Sequence, residues 1–374
     1  MLIKDILVGE KYEKVEIGAK PYIEIGDIDI NSKSYILKDK GAVKGAKYAS
    51  KNTILISTVR ATRGAITIVN EYKVAVSSAF ATIKVDEKKC NYKYLFYLLN
   101  KKEFFEYLGS HSKGATYPTC SKEDVYNYKI DLPSLDIQNK VVMIFDKLFE
   151  NITMKKHQVK LCDEFVKSQF IDMFENKDFP YVQFKEYMER CVDIGSNGAN
   201  AVVMKHYNMT DTKDFAMVIR FTNLNSGDFE NDVKYINKED YEFYSKSKVY
   251  GDEIIFCKIG SAGMNYIMPK LNMPVTLGLN QIMVTPKNIN TRYLYEYINS
   301  HEGKKYINNN INGAVTKTIT KHALWDFPIK TPPIELQNKF AQIVEQIDKQ
   351  KSEMEKSLKK LEEMQSALMQ EYFG

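Results

Sequence analysis

The chain contains its own template. LPSLDIQNKVVMIFDKLF, beginning at Leu132, returns as KTPPIELQNKFAQIVEQID from Lys330, with Gln138-Asn139-Lys140 falling on Gln337-Asn338-Lys339 at an offset of 199 residues. The same offset holds upstream without a gap. Tyr94-Leu95 falls on Tyr293-Leu294, Asn100 on Asn299, Tyr107 on Tyr306, Gly114-Ala115 on Gly313-Ala314 and Pro133 on Pro332. Three matched residues can arise by chance, but a register kept over roughly fifty positions requires an internal repeat. Whatever fold one half adopts, the other must adopt too. With 374 residues, each half is long enough to bury a core without disulfides.

Nearer the start of each half the likeness thins to short apolar runs. Tyr22–Ile28 resembles Val218–Leu224, and Asn52–Ser57 resembles Asp252–Cys257, each the pattern of a short buried strand. The second pair of runs leads into glycine-containing loops, Arg60-Ala61-Thr62-Arg63-Gly64 in one half and Gly260-Ser261-Ala262-Gly263 in the other. After Pro133, and again after Pro332-Pro333, the chain becomes helical. Proline favours a helix's first turn, and no further Pro or Gly occurs through Asn176 or, in the second stretch, until Gly374.

Both stretches carry a heptad seam: Phe145, Ile152, Val159, Val166 and Met173 in the first, Phe340, Ile347, Met354, Leu361 and Leu368 in the second, with Ile343 and Met364 at the companion position. Lys155, Gln350 and Ser357 interrupt the seam at positions that fix register. The pattern predicts an antiparallel pair of helices, each about 60 Å long at 1.5 Å per residue, serving as a spacer. Phe165, Phe170, Leu358 and Tyr372 are read as outward apolar positions facing a partner. The predicted fold is α+β: two similar, mainly-β domains at 1–132 and 177–331, separated by long helices at 133–176 and 332–374. Each domain is expected to hold one further helix, near Tyr94–Leu108 and Tyr293–Ile307.

Composition excludes several classes. No apolar run approaches eighteen residues, and MLIKDILVGE lacks the order of a signal peptide, so a cytoplasmic protein away from membranes is expected. Cys90, Cys120, Cys162, Cys191 and Cys257 are odd in number and widely spread, which suggests buried small hydrophobes and neither disulfides nor a CxxC site. His111, His157, His206, His301 and His322 share no metal-type spacing. There is no phosphate-cradling Gly-x-x-x-x-Gly-Lys-Ser/Thr loop and no dinucleotide fingerprint. Thr331-Pro332-Pro333-Ile334 lacks the polar head and the aromatic of an adenine-methyltransferase motif, and Val85-Asp86-Glu87-Lys88-Lys89 reads as a solvated turn. No catalytic residue, metal or cofactor is therefore expected in this chain. The net charge of +5 is mild, but its distribution is not: between Lys38 and Arg63 seven basic residues face the single acid Asp39. Such a stretch suits phosphate binding.

The order of variable domain, proline and LQNK-type helix, repeated once, resembles the specificity subunits of type I restriction-modification systems over essentially the whole chain. The resemblance rests on Gly114-Ala115-Thr116 with Leu132-Pro133 through Gln138, and on Gly313-Ala314-Val315 with Pro332-Pro333 through Gln337. Val315 in place of Thr, and Ser134 in place of a second Pro, are the departures. The resemblance implies a non-catalytic subunit with two target-recognition domains that binds a bipartite, asymmetric double-stranded DNA site. It also implies two modification subunits that carry S-adenosylmethionine, and restriction subunits that use ATP and Mg. A specificity subunit of a related, non-type-I methyltransferase system would share these motifs. A coiled-coil adaptor without DNA readout would account for the heptads but not for the duplicated basic loops.

Residues that read DNA must be polar and carried on loops, since phosphate contacts supply affinity and base-edge contacts supply discrimination. In the first domain Lys44, Lys47 and Lys51 are candidates for phosphates, and Thr58, Arg60, Thr62 and Arg63 for base edges, with Lys113 and Thr116 flanking the Gly-small stretch. In the second, the candidates are Lys258 and Ser261, Arg220, Asn223 and Asn225 on the earlier loop, and Lys317 and Lys321 after Gly313-Ala314.

Overall fold

The computed structural model describes residues 1–9 and 14–374. Two compact units divide the chain, one formed by Met1–His157 with Glu355–Gly374 and the other by Gln158–Met354. The division falls inside the two long helices, Leu135–Phe170 and Ile334–Phe373, so each unit owns one end of each.

Within the first unit, strand Ile54–Ser57 lies between Ile66–Ile68 and Phe80–Ile83 in an antiparallel sheet. A second sheet sets Lys73–Val76 between Tyr22–Ile23, which it pairs in parallel, and Lys47–Ser50, which it pairs antiparallel. The second unit repeats and enlarges this plan. Ile254–Cys257 lies between Asn265–Ile267 and Gln281–Pro286, with Met188–Val192 added at the edge. Ala216–Ile219 pairs in parallel with Val275–Leu277, flanked by Lys234–Ile236 and Lys248–Val249. The weak echoes of the sequence are therefore equivalent strands. Their turns match as well: Asn52 and Asp252, each entering the central strand, have φ of 68° and 67°, a left-handed conformation that Asn and Asp tolerate best among residues bearing a side chain.

The one helix expected in each half is two. Tyr92–Leu98 is followed by Lys102–Ser110, and Thr291–Asn299 by His301–Asn309. In the second unit Ser300 starts the new helix by accepting the Gly303 N–H at 3.2 Å. A β-carbon on Gly303 would lie 2.2 Å from the Tyr297 carbonyl oxygen, so the corner admits only glycine.

The Gln-Asn pair of each repeat fixes where the long helix begins. Gln138 Oε1 accepts the Asn91 backbone N–H at 2.8 Å while Gln138 Nε2 donates to the Pro133 carbonyl at 2.8 Å. Gln337 does the same with Asn290 (2.9 Å) and Pro332 (2.8 Å). Asn91 and Asn290 in turn cap the short helices, accepting N–H groups of the first turn, and donate to Asn139 and Asn338. Buried amides with both ends satisfied are specific fasteners. This explains why the QN pair survives where neighbouring residues drift.

Inside the first unit the long helices run antiparallel: Phe145 meets Tyr372 and Phe373, and Lys156 meets Glu362 at 2.9 Å. Inside the second, Phe170 meets Phe340, and Asp163 meets Lys351 at 2.6 Å. Phe145, Ile152, Val166, Met173 and Phe340 are buried as the seam requires, whereas Met364 is 47% exposed and lies off it. Phe165 is exposed, but Phe170 does not face outward. It is 4% exposed and packs on Tyr293, Phe174 and Phe340 in the second unit's core. All five cysteines are free, and all but the half-buried Cys191 are buried.

Candidate nucleic-acid interface

The site grows out of the central strand of each unit. As Ile54–Ser57 ends, the chain turns through 58–64 and is stitched to the hairpin spanning 113–119: Arg60 N–H donates to the Pro118 carbonyl at 2.7 Å and Cys120 N–H to the Thr58 carbonyl at 3.0 Å. Gly114, at φ 101°, makes the hairpin's turn possible. In the second unit Gly260 N–H donates to the Lys317 carbonyl at 3.0 Å and Ile319 N–H to the Lys258 carbonyl at 3.0 Å, with Gly313 at φ 99°. Even the sulfur is matched, Cys257 Sγ approaching the Ile259 carbonyl where Ser57 Oγ donates to that of Val59. One backbone frame thus presents two different sets of side chains.

In the first unit the frame brings together Arg60, Thr62, Arg63, Lys113 and Thr116; Arg60 is half-buried and the others are exposed. The Arg60 guanidinium lies 4.2 Å from the Tyr117 ring centroid, and its Nη2 donates to the Thr116 carbonyl at 3.2 Å. Tyr117 is 62% exposed, and the sequence, with 25 tyrosines, offers no composition signal that distinguishes it. Its place directly after Gly114-Ala115-Thr116 is the only signal that could have found it. Thr58 does not join them: it is buried, its Oγ1 donating to the Ala79 carbonyl at 2.8 Å. The phosphate candidates are scattered. Lys44 is exposed before the strand, Lys51 lies over the Tyr72 ring, and Lys47 donates to Thr82 Oγ1 at 3.0 Å. Burial, and then the like charge of Lys122, push the Lys47 ammonium down to about 8. The basic run is also partly neutralised, because Lys38 and Lys40 both face the buried Asp27, at 3.1 and 2.8 Å.

In the second unit Ser261 and Lys317 are exposed on the frame. Lys258 and Lys321 instead converge on Asp193, at 2.7 and 3.1 Å, with Ser196 Oγ donating at 3.0 Å. Burial pushes the Asp193 carboxyl up, but hydrogen bonds from Lys258, Lys321 and Ser196 outweigh it and bring the group down to about 2. The earlier loop is largely occupied with its own structure. Asn223 is buried and donates to the carbonyls of Asp228 and Asp232, Arg220 pairs with Asp232 at 3.0 Å, and Asn225 accepts the Tyr266 hydroxyl at 2.7 Å.

Among the described residues no cluster of His, Cys, Asp or Glu is arranged to hold a metal ion, and no helix is long and apolar enough to cross a membrane.

Two α+β units built on one repeated frame, each with an antiparallel helix pair, define the class of the protein. Residues 4–161 and 202–363 match the family model for the type I restriction modification DNA specificity domain, and the chain belongs to that family. It is 25% identical over 339 residues to the type I restriction enzyme MjaIX specificity subunit of Methanocaldococcus jannaschii, covering 85% of this chain and 76% of that one. In fold it is similar to the type I restriction-modification system S subunit from M. genitalium, with TM-score 0.59, 15% identity and coverage of 99% of this chain and 94% of that one. A chain of a type I R-M system solved for its complex assembly and conformational transition gives TM-score 0.55 at 16% identity, covering 100% of this chain and 96% of that one.

Proposed function

We propose that this chain is the non-catalytic DNA-recognition subunit of a type I restriction-modification complex. It reads a bipartite, asymmetric double-stranded site, one half-site per unit with an unread gap between, and directs two modification subunits and the restriction subunits to it. The observation that carries this reading is the repeated frame with unlike contents. Loop and hairpin keep their hydrogen bonds in both units, while Arg60, Thr62, Arg63, Lys113 and Thr116 in one give way to Gly260, Ser261 and Lys317 in the other. Base edges are read by such side chains, and phosphates by the lysines around them. S-adenosylmethionine, ATP and Mg belong to the partner subunits on this reading. The chain acts in the cytoplasm, where the DNA is.

Co-expression with a modification subunit of the same genome, followed by mapping of methylated adenines in host DNA by long-read sequencing, tests the proposal. A two-part motif with a fixed gap, lost when this chain is omitted, is the expected result. A stable complex that methylates no motif would point instead to a protein-binding scaffold.

A further inference from the structure

Arg60 stands where the fold asks for something else. Its φ of 48° is a left-handed conformation uncommon for a residue with a side chain, and its counterpart in the second unit is Gly260, at φ 89°. Glycine makes this turn without steric cost, so the backbone gives no reason for an arginine. Strain of this kind persists where the side chain is used. Tyr117 presents the same argument from the other side. It is a large ring, 62% exposed, contributing little to any core. The guanidinium lies over that ring at 4.2 Å, and one of its N–H groups is taken by the Thr116 carbonyl at 3.2 Å. No other hydrogen bond or ion pair of the Arg60 side chain occurs among the described residues. The ring and the carbonyl together restrain the guanidinium, while its other N–H groups have no hydrogen-bond partner among the described residues. Phosphate binding does not need such a restraint, since a mobile cation serves it. A planar acceptor pair does, and among base edges the N7 and O6 of guanine form the pair that arginine matches bidentately. The second unit has neither member, with Gly260 and Thr316 at the equivalent positions.

We propose that Tyr117 is a positioning residue that holds Arg60 edge-on for a guanine, so that the first unit demands G at one position of its half-site and the second unit does not read by this device. The inference rests on the DNA-recognition reading above.

The test uses the co-expressed complex and host genomic DNA, comparing the methylated motif of the native chain with those of Arg60→Ala, Tyr117→Leu and Tyr117→Phe. Arg60→Ala and Tyr117→Leu are expected to relax the same single G, by roughly 5- to 150-fold, the range for a bidentate base contact. The other half-site stays unchanged. Tyr117→Phe, which keeps the ring, retains the preference, and the double variant Arg60→Ala/Tyr117→Leu loses no more than either single one. Retention of the full motif by Tyr117→Leu overturns the inference, as does relaxation at a different position from Arg60→Ala. A uniform fall in methylation at all sites also overturns it, because that is the signature of a phosphate contact. If the native chain itself yields no motif, the DNA-recognition reading fails and the inference falls with it. Failure of the inference alone leaves a native two-part motif that is indifferent to Tyr117.

Discussion

The side-chain carbonyl of Gln138 accepts the backbone N–H of Asn91 at 2.8 Å, across 47 residues of chain. This bond, with its repeat between Gln337 and Asn290, joins the start of each long helix to the cap of the short helix packed beside it. It makes the long helix and the short helix packed beside it one mechanical piece in each unit.

Removing either amide should therefore cost more than a surface hydrogen bond. Gln138→Ala leaves the Asn91 N–H and the Pro133 carbonyl without partners in a buried site, at about 1–3 kcal/mol each. A loss of roughly 2–4 kcal/mol in urea unfolding is expected, with Gln337→Ala giving a similar value. A change below about 0.5 kcal/mol, the range of ordinary surface substitutions, would show that the clamp adds nothing.

Asp193→Asn separates stability from DNA affinity. The Asp193 carboxyl is held at about 2 against an ordinary 3.8. Its contribution is thus present above about pH 4 and lost as the pH falls toward about 2, where the folded protein at last takes up the proton. The variant should be less stable than the native chain at pH 7, and the difference should shrink on acidification through that window. At pH 7 the same change releases Lys258 and Lys321, so non-specific DNA binding should tighten and its salt dependence should steepen. Unchanged retention on DNA across a salt series would mean that neither lysine approaches the phosphates.

Lys47 supplies a test at the other end of the scale. Its ammonium is pushed to about 8 from an ordinary 10.5, so between those values the unfolded chain binds the extra proton. Stability should accordingly rise with pH across that window for this group. Lys47→Met removes the slope, and thermal unfolding of the two proteins at pH 7.5 and 9.5 checks it. Equal pH dependence in both would place Lys47 in water rather than beside Lys122.

Exposed lysines on the frame should behave differently from Arg60. Lys113→Ala and Lys317→Ala are each expected to weaken binding of all sequences alike and to lower the slope of log affinity against log salt by about one. Fluorescence anisotropy with cognate and scrambled duplexes distinguishes this from a loss confined to the cognate site.

Much of this architecture could be read from the chain. The repeat, the two proline-started helices, the seam through Phe145, Ile152, Val166 and Phe340, and the equivalent strands at Ile54 and Ile254 all rest on patterns between near neighbours or on copying at a fixed offset. Such signals survive without three-dimensional knowledge. Met364 lies off the seam, and Phe170 is buried where the heptads place it outward, because a 3.5-residue period describes one facing helix while Phe170 also packs against the second unit's domain core.

What only the tertiary structure decided is which polar groups are spoken for. Lys258 and Lys321 look like DNA-binding residues until Asp193, 65 and 128 residues away, is placed between them. Thr58 looks like a loop residue until the Ala79 carbonyl takes its hydroxyl. Tyr117 is one tyrosine among many until Arg60 is laid on its ring. Charge and hydrogen-bonding capacity are properties of a residue, and sequence records them. Their availability depends on the partner that the fold brings within 3 or 4 Å, and long-range pairing leaves no period in the chain.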